Sequence, residues 1–126
     1  MSETNLPKTP TKEKLIFWEL NEINFDYVNF YIREGKLKNW KKLIEDHGLF
    51  TTFSEENYNE LQPWIQWPTI RTGLNYEEHG VHRIGDIIES GVKQHWEILE
   101  DKGFNVAAIS PINASNNTKK STFWIP

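Results

Sequence analysis

Cysteine is absent from the 126 residues, which removes disulfides, thiolate nucleophiles and cysteine-bearing zinc sites together. The absence suits a reducing compartment or an organism that avoids the residue. Long apolar runs are missing too: the longest candidate, residues 15–20, is interrupted by Glu19 and falls short of the roughly 18 residues a membrane span requires. A secretory leader needs a basic start and an apolar run of roughly 7 to 15 residues, whereas residues 1–14 are polar and carry Pro7 and Pro10. A soluble, cytoplasmic protein without a membrane partner is therefore expected. Positive charge is not in excess either. With 14 basic against 18 acidic residues and a net charge of -4, there is no basic stripe to track a phosphate backbone, so no nucleic-acid partner is expected. No Gly-x-Gly-x-x-Gly follows an apolar run, and the usual dinucleotide site is not supported.

What is present is enough for one domain: 37% hydrophobic and 13% aromatic residues supply a core for a chain of this length. Residues 1–13 are polar and read as a free tail, leaving 14–126 as the folded part. The near-continuous apolar run at 15–20 fits a strand buried on both faces. Asn24 can cap a helix that carries Phe25, Val28 and Ile32 on one side and stops at Gly35. A second helix follows with Leu37, Trp40, Leu43 and Ile44 spaced by three and four, ending at Gly48. Residues 49–53 are β-prone. Residues 54–68, with Pro63, Trp64, Trp67 and Pro68, read as an aromatic loop, and 69–74 as a short helix. Ser90 can cap a helix carrying Val92, His95, Trp96 and Leu99 and stopped by Gly103. A buried strand at 104–109 and an Asn-rich loop at 111–120 complete the reading. The order predicts an α/β fold: an open, mostly parallel sheet of about three strands with helices on both faces.

In such sheets ligands gather at the carboxyl ends of strands. The first such end reads Glu19-Leu20-Asn21-Glu22. Its oxygens can contribute to a divalent-ion site, although one strand end supplies only one or two ligands. The alternative is a solvated Glu22, an Asn21 that ties down the turn, and a Glu19 paired with a basic neighbour. In the middle loop Trp64, Gln66, Trp67 and Arg71 offer stacking faces and polar groups for a sugar or an anion, while large aromatics also serve as core. His47 and His95 read as packed histidines on helix faces. His79 and His82, three apart, invite a metal reading but fit a structural role better. The Asn-rich loop can contact a substrate or simply supply turn geometry.

Thr72-Gly73, a short spacer and His79-Gly80, following a proline-rich loop and an early apolar run, resemble the alkaline-phosphatase-like superfamily, in particular its type I phosphodiesterase and nucleotide pyrophosphatase branch. The resemblance covers an amino-terminal portion of that fold. It implies an incomplete alkaline-phosphatase-like core and two-metal hydrolysis of phosphate or sulfate esters, in which a hydroxyl at a helix start attacks the ester. It also implies a divalent metal, zinc or manganese, held in part at Glu19, Asn21 and Glu22. The register that aligns Phe25-Asp26 sets Asn21 where the family has Asp. Counting back from Thr72-Gly73 sets Trp64, or with a small gap Gln66, where the family has its nucleophile. Thr69 is the nearest hydroxyl and the candidate catalytic residue, with Arg71 binding the anion and helix capping as the alternative role of Thr69.

Two functions follow as expectations. The first is an amino-terminal fragment of a phosphodiesterase- or phosphatase-like (or sulfatase-like) hydrolase, inactive alone. Its partners would be the remainder of a longer chain or a complementing chain, and a small-molecule or glycan-linked ester. The alternative is a non-catalytic sugar- or anion-binding module that uses Trp64, Gln66, Trp67 and Arg71.

Overall fold

The computed structural model describes residues 14–54 and 57–126; the tail expected at 1–13 lies outside them. Two compact units are present, Trp18–Ser54 and the part that contains residues 57–126.

The first unit is a helical hairpin. Asn24 caps α1, Phe25–Arg33, as its spacing predicts: its side-chain oxygen accepts the N–H groups of Asp26 and Tyr27, two donors that the first helical turn leaves unpaired. The chain reverses at Gly35, whose φ of 71° suits a residue without Cβ. It then enters α2, Lys38–His47. Phe25 meets Trp40 edge to face at 6.3 Å, and Val28 is the buried apolar residue of α1. The polar side of α2 carries the i, i+4 pairs Lys41–Glu45 and Lys42–Asp46, which are solvated and contribute little.

The second unit is built on α3, Pro63–Thr72. Pro63 begins it at the position where a missing N–H costs nothing. Pro68 sits inside it, so Trp64, four residues earlier, loses the N–H that its carbonyl would accept in a regular helix. Short helices α4 (Tyr76–His79), α5 (Asp86–Ser90) and α6 (His95–Asp101) follow. α4 starts on a capping box, Asn75 with Glu78, and α6 on half of one, in which the Glu97 carboxylate accepts Gln94 N–H. Strands β1 (Ala107–Ile109) and β2 (Phe123–Ile125) pair in parallel, Ala108 opposite Trp124. One face of this pair meets α6 through the Trp124–Trp96 contact at 5.3 Å; Ile109, Phe123 and Ile125 are exposed. Ile65, Val81, Ile87 and Trp96 form the buried apolar core.

The expected fold class is corrected. Among the described residues there is no open three-stranded sheet with helices on both faces and hence no incomplete alkaline-phosphatase-like core; the molecule is mostly helical with one two-stranded parallel ribbon. The run at 15–20 forms neither strand nor helix, and Ile16 is 88% and Trp18 74% exposed. An apolar run reads as a buried strand only if neighbouring strands pair with it, and β1 and β2 pair with each other. Residues 49–53 form no strand, and β1 is shorter than the 104–109 expected. The second part of the loop expected at 54–68, residues 63–68, and most of the short helix expected at 69–74 are one helix, α3, because Pro63 and Pro68 are accommodated in it. Ser90 ends α5, and Gln94 caps α6 in its place.

Candidate functional site

The residues selected from the middle of the sequence converge on α3, and their polar groups are directed into the protein. Arg71 is 2% exposed. Its guanidinium carbon lies 5.5 Å from the Trp67 ring centre and 5.2 Å from that of Trp96, a stacked arrangement that Arg favours over Lys. Its Nη1 donates to the carbonyl oxygens of Ile112 (2.6 Å) and Asn113 (3.4 Å). Trp64 Nε1 donates to His82 O at 3.2 Å, and Gln66 Nε2 to Glu60 O at 2.8 Å. Three of the four side chains read as substrate contacts thus support the loops around them, and the fourth, Trp67, packs on Arg71.

Thr69 lies within α3 and not at its start, so the free N–H groups and positive dipole end that favour an attacking hydroxyl are two turns away. Its Oγ1 donates to Ile65 O at 3.2 Å and lies 3.0 Å from His79 Nε2. This pair has the separation of a nucleophile and its base, but the proton placement runs the other way. Val81 N–H donates to His79 Nδ1 at 3.0 Å, so Nδ1 is the acceptor nitrogen and Nε2 carries the proton that Thr69 Oγ1 receives. Thr69 has no proton acceptor in His79. The imidazole, 2% exposed, ties α3, α4 and the start of the next loop together.

The two pairs singled out in the sequence are consecutive helix stops. Gly73, at φ 71°, closes α3 and donates to Thr69 O at 2.9 Å. Thr72 Oγ1 donates to Pro68 O (2.7 Å) and accepts Leu74 N–H (3.2 Å). Gly80, at φ 66°, closes α4. Both glycines occupy left-handed backbone, where a Cβ is strained.

The residue that the sequence reading passed over is Asn113. Its Nδ2 donates to Trp64 O at 2.6 Å and Arg83 O at 3.4 Å, and its Oδ1 accepts Gly85 N–H at 2.9 Å. The Trp64 carbonyl is the one that Pro68 leaves without its helical donor, so Asn113 repairs the break from 49 residues away. Asn113 itself adopts φ 46°, which Asn tolerates better than most residues. The Asn-rich composition was the available signal; it offered substrate contact or turn geometry, and turn geometry is half of the role.

α6 holds the same loop from its other side. Trp96 Nε1 donates to Ser115 O, and Gln94 Nε2 to Ser115 Oγ at 3.0 Å. Glu97 accepts Gln94 N–H and Asn117 N–H, while Glu100 accepts the N–H groups of Lys119 and Lys120 at 2.6 Å each. A cleft of about 440 Å³ nearby is lined by Glu89, Lys93, Glu97, Glu100, Asn117 and Lys119 among others; it takes two residues of the Asn-rich loop and none of the candidates on α3 or at 19–22. The exposed Lys93–Asp101 pair there raises the lysine and lowers the carboxyl from their ordinary ranges through their mutual hydrogen bond.

Glu19, Asn21 and Glu22 belong to the other unit. Asn21 and Glu22 form an exposed turn after the irregular run, with Glu22 at φ 53°. These three do not make a divalent-ion site by themselves, since two carboxylates and an amide from one turn fall short of the converging ligands such an ion takes. Among the described residues no group of three or more His, Asp or Glu is placed to hold a metal.

The class defined by fold and geometry is a mostly helical chain with one two-stranded parallel ribbon, whose polar residues cross-link loops. No protein-family model, curated protein or solved structure matches it. Among the described residues, no helix is long and apolar enough to cross a membrane.

Proposed function

We propose that the chain is a non-catalytic, amino-terminal part of a phosphodiesterase- or phosphatase-like (or sulfatase-like) hydrolase, inactive alone and acting in the cytoplasm. One observation carries this reading. The Thr72-Gly73 and His79-Gly80 pairs, on which the resemblance rests, are successive helix stops locked by the Thr72 and His79 side chains. The α3 that they close begins at Pro63 and Trp64, and counting back along it sets at the position matching the family's nucleophile either the indole of Trp64 or, with a small gap, the amide of Gln66. Neither can attack an ester. Thr69, with its hydroxyl proton on Ile65 O, is a poor substitute.

The zinc or manganese implied by the resemblance then takes ligands from outside this chain, and no step of hydrolysis is assigned to residues within it. The partner is the remainder of a longer chain or a complementing chain. The exposed Ile109 and Ile125, neighbours across the β1–β2 pair, support this, because adjoining apolar side chains left in water mark a surface that a partner can cover. The ester substrate, small or glycan-linked, is bound by that partner. A sugar- or anion-binding module using Trp64, Gln66, Trp67 and Arg71 would have to break the internal bonds that these side chains make, and no contact favours it.

The test is hydrolysis of an aryl phosphate, an aryl phosphodiester and an aryl sulfate, with zinc or manganese added. The chain alone is expected to be silent on all three, whereas a longer polypeptide that contains it and supplies Asp and His ligands turns over at least one. Metal-stimulated turnover by the chain alone, abolished in Thr69→Val, would overturn the non-catalytic assignment. Silence of the longer polypeptide on every ester would sink the hydrolase reading.

A further inference from the structure

We draw no further inference here: the strongest candidate, the cleft of about 350 Å³ at the start of α2 lined by Lys36, Leu37, Lys38, Asn39 and Trp40, rests on a single helix N-terminus and surface lysines, with no second observation that points to a ligand.

Discussion

The hairpin of α1 and α2 and the region around α3 are held by different kinds of contact. The hairpin is joined by interactions between near neighbours: a cap two and three residues long, a turn at Gly35, and one aromatic contact from Phe25 to Trp40. The α3 region depends on polar side chains that reach across 20 to 49 residues, from Gln94, Glu97, Arg71 and Asn113. The contrast teaches that polar links can take over work that a small apolar core cannot do. Such a region is brittle, because each link leaves buried partners unsatisfied when it is cut.

The contrast can be broken from the α3 side most severely at Arg71. Arg71→Ala is expected to cost about 3 kcal/mol or more, since it strips two carbonyls of their donor and two tryptophans of their stacked partner. The midpoint of urea unfolding, followed by tryptophan fluorescence, reads this directly. Arg71→Lys recovers little of the loss, because an ammonium cannot stack as the planar guanidinium does.

Asn113→Ala comes next, at about 2 to 3 kcal/mol, from the lost bonds to Trp64 O and Gly85 N–H and from strain at positive φ. If Asn113 repairs the gap made by Pro68, the two positions are coupled. Pro68→Ala supplies an N–H to Trp64 O and should soften the Asn113→Ala loss by about 1 kcal/mol in a double-mutant cycle. Strict additivity would refute the repair.

On the hairpin side Asn24→Ala should cost about 1 kcal/mol, an ordinary cap effect. Helical circular dichroism and the unfolding midpoint should both show it as a smaller loss than at Asn113.

The smallest effect is expected at Lys93→Ala, which removes a solvent-exposed ion pair. The sign of its pH dependence follows from the two shifts. Asp101 is lowered, so any contribution is present above its ordinary value of 3.8 and fades as pH falls further; Lys93 is raised, so it is present below 10.5 and fades at higher pH. Between those limits the stability profiles of wild type and Lys93→Ala should run parallel, with a constant small difference.

The same division explains what could be read in advance. Asn24, the reversal at Gly35 and the stop at Gly48 were legible because a cap or a left-handed glycine acts over two to four residues. α3 was not, since Pro68 announces a break and the donor that mends it is 49 residues away. The strand expected at 15–20 failed for a related reason: apolar residues state a preference for burial but not which strand accepts them. At the candidate site, the importance of Trp64, Gln66, Trp67, Thr69 and Arg71 was visible in the residue types. The direction of their hydrogen bonds was not, and that direction separates a scaffold from a binding surface. The capping box Asn75–Glu78 and the Gln94–Glu97 link were in plain view at i, i+3 spacing, while Ser90 drew the assignment by being a better cap residue in general.

The most direct measurement is urea unfolding of Arg71→Ala beside wild type, because the account assigns the buried guanidinium to holding the fold. It predicts a midpoint lowered by the equivalent of about 3 kcal/mol or more. An unchanged midpoint would contradict it and return Arg71 to the role of a ligand-binding residue.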